Sequence, residues 1–226
     1  MKTLVIAAHP DDEILGCGGT VARLQQQHHE VTIAILGEGM TSRYSSRKQA
    51  DRELVDDLHL CSKKAGKLVG VDDVRLFNLP DNRFDTVPLL EIVKTVEALL
   101  DDVKPTTIFT HHPGDLNIDH TLTSRAVMTA TRPMQGQGVR HIYAFEAPSS
   151  TEWSFNQTGQ NFLPNLFYDI SETLPQKIAA MEAYSSEARR FPHPRSPEAL
   201  EARARMWGSV IGTDFAEAFC LVRSIL

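Results

Sequence analysis

Short apolar runs alternate along this chain with segments of helical spacing, and that alternation constrains the fold more than any other property of the sequence. Residues 3–8 (Thr-Leu-Val-Ile-Ala-Ala) form a continuous apolar run with β-branched members, the pattern of a strand covered on both faces. Residues 31–36, 74–77, 106–110 and 141–145 repeat the theme, and helical spacing fills 21–28, 46–68, 89–103 and 120–131 between them. Gly16 to Gly19 closes a turn after the first strand on this reading. Strand, helix, strand units in series predict an α/β, Rossmann-like architecture: a mostly parallel twisted sheet with helices on both faces. Residues 166–170 and 219–222 add short strands, 174–184 and 197–210 amphipathic helices, and the polar stretch 148–164 a long loop suited to a lid. No repeat or linker divides the chain, so residues 1–226 read as a single domain.

Composition removes several function classes. A net charge of −6 leaves no basic footprint for a phosphate backbone, so nucleic acid is not an expected partner. The first apolar run breaks at His9, far short of a membrane span or a signal-peptide core, and a cytoplasmic protein is expected. Cys17, Cys61 and Cys220 are odd in number and widely spaced, which fits buried apolar residues better than a disulfide frame or a cysteine zinc site. Assembly into a homo-oligomer is compatible with this composition.

Two clusters carry the chemistry. His9-Pro10-Asp11-Asp12-Glu13 follows the first strand directly and brings one imidazole and three carboxylates to the edge of the sheet where open α/β folds bind ligands. A sharp turn there lets His9 and Asp12 point into one crevice and share a cation, with Pro10 fixing the backbone between them. Helix capping alone would explain neither the histidine nor so many acids. A catalytic zinc site needs a third protein ligand and an open position, and the second cluster, His111-His112-Pro-Gly-Asp115-Leu-Asn117-Ile-Asp119-His120, supplies candidates at another strand end.

Ala8-His-Pro-Asp-Asp-Glu13 with Ile118-Asp-His120 resembles the PIG-L/LmbE-like family of zinc-dependent de-N-acetylases, which act on N-acetylglucosaminyl conjugates and related acetamido sugars. Leu79-Pro-Asp81, Asp169-Ile-Ser171 with Lys177 and Tyr184-Ser185, and Phe215-Ala-Glu-Ala-Phe219 extend the likeness over nearly the whole chain. The resemblance implies that His9, Asp12 and His120 ligate Zn2+, with Fe2+ an acceptable substitute, and that Asp11 is the general base. It also implies contact of Asp81 with sugar hydroxyls. Glu13 either orients a ligand from behind or caps the helix, and Asp119 stands next to the ligands as a supporting acid. Arg83 follows Asp81 at the same sheet edge, and Arg43, after the second strand, offers a guanidinium to an anionic group. Many members of the family carry a histidine three residues before the last ligand; here that position is Asn117. The oxyanion donor is therefore expected to be Asn117, with His112 as a second electrophile.

The expected activity is removal of an N-acetyl group by activated water, with acetate released from a small acetamido sugar. Two rivals have other chemistry. A non-catalytic Rossmann-type nucleotide-binding module is opposed by the three carboxylates after the first strand and by the spacing of Gly16-Cys-Gly-Gly19. A metal-dependent phosphoesterase would need ligands for a second ion, and too few are visible.

Overall fold

The structure is a computed structural model that describes residues 1–155 and 159–226. In chain order the main elements are β1 (Lys2–Ala7), α1 (Asp12–Gln26), β2 (Glu30–Gly37), α2 (Arg52–Leu68), β3 (Val74–Leu79), α3 (Leu89–Val103) and β4 (Thr107–His111). They continue with α4 (Ile118–Ala130), β5 (His141–Phe145), β6 (Leu166–Asp169), α5 (Leu174–Ala183), α6 (Pro197–Ile211) and β7 (Ala216–Ser224). All seven strands join one sheet in the order β3-β2-β1-β4-β5-β7-β6. Pairing is parallel from β3 to β5, and β7 runs antiparallel to both β5 and β6.

The alternation of side chains along β1 explains the layers. Val5 and Ala7 face a core shared with Leu15, Val21, Leu58, Ala65, Met181 and Leu200, from α1, α2, α5 and α6. Leu4 and Ile6 face the other way, onto Ile92, Val96 and Leu99 of α3 and Ala126 and Val127 of α4. A strand buried on both sides must be apolar throughout, which is what residues 3–8 show. The chain winds outward from β1 to β3 on one side and from β4 to β5 on the other, so the carboxyl ends of β1 and β4 flank the point where the winding direction switches. Clefts form there in such sheets.

Several expectations change. The glycines at 16–19 do not close a turn; they lie inside α1, which starts at Asp12 and is kinked at Cys17 (φ −147°, ψ 19°). Gly16 is needed because a Cβ there would fall 2.2 Å from the Phe145 ring. The kink releases backbone groups that a buried ion pair takes up. The Lys177 ammonium donates to Leu15 O at 2.8 Å and to Glu217, while Glu217 accepts the Gly19 and Thr20 amides at 3.0 and 2.7 Å. Helix α2 begins at Arg52 rather than at residue 46, with the Asp51 carboxylate capping it through the Glu53 amide. The last strand is longer than 219–222 and antiparallel.

The 148–164 stretch includes residues outside the described set. Among the described ones, Ser149, Ser150 and Thr151 are buried, and Glu152–Ser154 forms a 3-10 turn in which Trp153 packs against His193. Trp207 is half-buried, with its indole N–H donating to Glu146 Oε1 at 2.7 Å. Cys17 is buried and Cys61 and Cys220 are partly buried, all three as free thiols. Among the described residues, no helix is long and apolar enough to cross a membrane.

Candidate metal centre and active site

At the end of β1 the backbone turns sharply: the His9 amide donates to Asp12 Oδ2 at 2.9 Å, and Asp11 adopts a left-handed conformation (φ 97°, ψ −26°) as the N-cap of α1. At the end of β4 the chain passes through residues 112–117 into α4, whose first turn carries Asp119 and His120 and whose N-cap is Asn117, accepting the Asp119 amide at 2.9 Å. Both helices thus begin beside the switch point with their ligand-bearing first turns facing each other.

Three donor atoms converge there. His9 Nδ1 lies 3.3 Å from His120 Nε2, and Asp12 Oδ2 lies 3.4 Å from His9 Nδ1 and 3.2 Å from His120 Nε2. Ligands about 2.0–2.1 Å from a tetrahedral zinc stand roughly 3.3 Å from one another, so the triangle already has the edge length of one face of such a site. The donor set, two imidazoles and a carboxylate, suits zinc, and the fourth direction is left to the pocket.

Both histidines are held from behind. His9 Nε2 is 2.9 Å from Asp119 Oδ2, a contact that turns the ring so that Nδ1 faces the triangle. Asp119 Oδ1 accepts the Phe84 amide. His120 Nδ1 is 3.1 Å from Asp115 Oδ1, and Asp115 is fixed by the Asn117 amide and the hydroxyls of Ser150 and Thr151. His111, stacked on His120 at 4.0 Å between centroids, accepts the Ala8 amide through Nε2.

The electrostatics favour a cation. Burial alone would depress His9, but hydrogen bonds to Asp119 and Asp12 outweigh it and raise the ring to about 10. His120 behaves alike: Asp12 and Asp115 overcome desolvation and raise it to about 9. Burial opposes ionisation of Asp12, yet the histidines, His120 above all, hold its carboxyl well below the usual range. A site that holds protons this firmly has the negative field that a dication also seeks. Burial lowers His111 to about 3, keeping it neutral.

Asp11 is buried beside the triangle, and its Oδ2 accepts Arg195 Nη1 at 2.6 Å. Burial pushes its carboxyl up to about 7 against the pull of that guanidinium. Burial likewise raises Glu13 to about 8; it accepts the Tyr184 hydroxyl and the Asp11 amide, so it braces the turn rather than facing the pocket.

A cavity of about 150 Å³ opens onto His9, Asp11, Asp12 and His120. Its walls also include Arg43, Asp81 and Asn117. Asp81 sits 3.5 Å from His9 Nε2 and accepts the Ser42 amide and hydroxyl. Arg43 is half-exposed and doubly bonded to Glu187 at 2.6 and 2.7 Å. Asn117 reaches Asn82 Oδ1 through Nδ2 at 2.8 Å. Two expected residues are not brought in. Arg83 is exposed and absent from the cavity wall, because the turn at Asn82 (φ 53°) points the chain outward after Asp81. His112 is buried behind the wall, its Nε2 2.9 Å from the Gln160 carbonyl. The sequence assigns no role to Asp115 within the second cluster and does not point to Glu187 or Arg195; Arg195 stands in the proline-rich Phe191-Pro-His-Pro-Arg195 segment between two helices.

The sequence profile of the PIG-L family, GlcNAc-PI de-N-acetylase, matches residues 4–131, the stretch holding both clusters. The chain belongs to the PIG-L family. A relative in Bacillus cereus, named a probable N-acetyl-alpha-D-glucosaminyl L-malate deacetylase 2, is 27% identical over 187 residues, covering 81% of this chain and 82% of its own. Among solved structures, a conserved protein from Thermus thermophilus aligns with a TM-score of 0.76 at 26% identity over 99% of this chain and 96% of its own. N,N'-diacetylchitobiose deacetylase from Pyrococcus horikoshii shares the fold, with a TM-score of 0.77 at 20% identity over 98% of this chain and 84% of its own. The PIG-L chain described here is an N-deacetylase with the α/β fold of these proteins, and the ligand-bearing strand ends lie within the matched region.

Proposed function

We propose that this PIG-L protein removes the N-acetyl group from an N-acetylglucosamine-type conjugate and releases acetate. The supporting observation is the triangle of His9, Asp12 and His120 with the buried carboxylate of Asp11 at its side, all opening on one cavity. His9, Asp12 and His120 would hold zinc, or iron(II), which accepts the same two-histidine, one-carboxylate set. Held there, such an ion would supply the Lewis acidity that lowers the pKa of a water and polarises an amide carbonyl. Asp11 takes the proton from the water and returns it to the leaving amine, a role worth about 10² to 10⁴ in rate. Asp119 and Asp115 keep the imidazoles in register. Asp81 receives a sugar hydroxyl, and Arg43 meets the group attached to the sugar, with Arg83 left for substituents that reach beyond the mouth. Asn117, on the cavity wall, is the nearer of the two oxyanion donors, and His112 supports that wall from behind. We place the protein in the cytoplasm because its three thiols are free.

The test is metal analysis together with acetate release from N-acetyl-α-D-glucosaminyl L-malate, N-acetylglucosamine and diacetylchitobiose. One zinc per chain is expected, retained in Asp11→Asn with most of kcat lost. Near-normal turnover by that variant would move the base elsewhere; two metals per chain would favour a phosphoesterase, and none a binding module.

A further inference from the structure

Arg195 comes from the segment between α5 and α6, 184 residues from the carboxylate it touches. Its guanidinium is fixed at three points. Nη1 donates to Asp11 Oδ2 at 2.6 Å and stands 3.5 Å from Glu187 Oε2, and Nε donates to Ser149 Oγ at 2.8 Å. Glu187, itself buried, is held on its other side by Arg43. The result is a run of alternating charge, Asp11, Arg195, Glu187, Arg43, that closes one wall of the cavity and ties three separate loops to it. Asp11 needs such a partner: it is 1% exposed and its backbone is left-handed, so neither solvent nor the ordinary rotamer preferences of a helix N-cap fix its side chain. Among the described residues nothing donates to its other oxygen, Oδ1.

We infer that Arg195 is a positioning residue for the reaction: it pins Oδ2 of Asp11 so that Oδ1 is the oxygen presented to the water. A carboxylate held by one oxygen can rotate only about that contact, which restricts the basic lone pair to the cavity side. General-base catalysis depends on this kind of aim, since a misplacement of about 1 Å can cost 10²-fold. Glu187 and Ser149 complete the arrangement by preventing the guanidinium from swinging into the cavity as a competing ligand for substrate. Among the described residues Arg195 makes no hydrogen bond or ion pair with His9, Asp12 or His120; its charge acts on Asp12 only at longer range, and its direct bond to this group of side chains is the one to Asp11. The inference rests on the assignment of Asp11 as base.

The experiment is a double-mutant cycle of Arg195→Met and Asp11→Asn on the zinc-loaded protein, with kcat, KM and zinc content measured for each variant on whichever of the three acetamido sugars above is turned over fastest. Arg195→Met should lower kcat at least tenfold with KM and zinc content nearly unchanged, and it should cost nothing further once Asp11 is Asn. An equal loss in both backgrounds would overturn the inference while leaving the base assignment intact; a fully active Asp11→Asn would instead remove the base assignment itself. Should the Met variant fold poorly, Arg195→Gln, which removes the charge and shortens the side chain, goes through the same cycle with the same expectation. Independently of turnover, the crystal structure of the variant should show the Asp11 carboxylate rotated away from its present orientation, and an unmoved carboxylate counts against the role.

Discussion

His9 Nε2 and Asp119 Oδ2 are 2.9 Å apart, and this contact decides which nitrogen of His9 faces Asp12 and His120. Because Asp119 is itself held by the Phe84 amide, the orientation is built into the fold rather than induced by a ligand. Asp119→Ala should therefore leave the chain folded and weaken zinc binding about 10- to 100-fold, read by competition with a chelator. Unchanged affinity would show that the ring is oriented without it.

Asn117 serves two functions that substitutions can separate. Its side-chain carbonyl caps α4, its amide nitrogen donates to Asn82 Oδ1 at 2.8 Å, and the residue lines the cavity. Asn117→Ala should cost about 0.5–2 kcal/mol of stability as the cap is lost. Asn117→Ser keeps a capping oxygen, so its melting temperature should stay near that of the parent while kcat falls by about 10² to 10³ if the amide N–H serves the oxyanion. A Ser variant with full activity would reduce Asn117 to a cap. His112→Ala, with its ring against Gln160 rather than the cavity, should have the smaller effect on kcat.

The pair Lys177 and Glu217 substitutes for helix hydrogen bonds at the kink of α1, and both side chains are buried. Removing one partner strands a buried charge, so Glu217→Ala should destabilise by about 3–5 kcal/mol in urea unfolding. An apolar double replacement, Lys177→Met with Glu217→Leu, should not restore stability, because the Gly19 and Thr20 amides would remain unpaired. Recovery in the double variant would mean that those amides find other partners.

Asp73 links β2 to β3 by accepting Thr32 Oγ1 at 3.0 Å and the Arg75 guanidinium. The hydrogen bond from Arg75 holds its carboxyl below the usual range, so its contribution to stability is present above the unfolded-state pKa and fades as pH falls through the depressed folded value. Asp73→Ala should thus be less stable than the parent at pH 6, and the gap should close towards pH 3, as measured by denaturant unfolding at both values. A gap independent of pH would assign the loss to packing.

Much of this site could be read from the sequence because its reacting groups sit in two short segments, each placed at the end of an apolar strand. His9, Asp11, Asp12, Asp119 and His120 were accessible for that reason. Arg195 and Glu187 are not, because a guanidinium or a carboxylate in a loop looks like any solvated charge until the fold brings its partner to it; Asp115 lies in the second segment, but its role behind His120 depends on Ser150 and Thr151, far along the chain. The glycines of α1 misled for a related reason. Glycine lowers helix propensity by about 1 kcal/mol relative to alanine, so 16–19 reads as a turn, and the side chains that rescue the helix come from α5 and β7. For β7, the apolar stretch at 219–222 marked a strand but said nothing of direction, which is set by the Gly212 turn after α6 (φ 78°).

The position of β7 between β5 and β6 also fixes an order of construction. Among the described residues strand β6 pairs only with β7, and β7 carries the Glu217 that closes the break in α1. As the chain leaves the ribosome, β1 to β5 can assemble while the first helix, with Asp12 in its opening turn, still lacks the acceptor for two of its amides. His9, Asp12 and His120 all lie in the first 120 residues, yet the break in the helix that opens with Asp12 is closed by residue 217, so full pairing of α1 has to wait for a long-range chain closure with its high loop entropy.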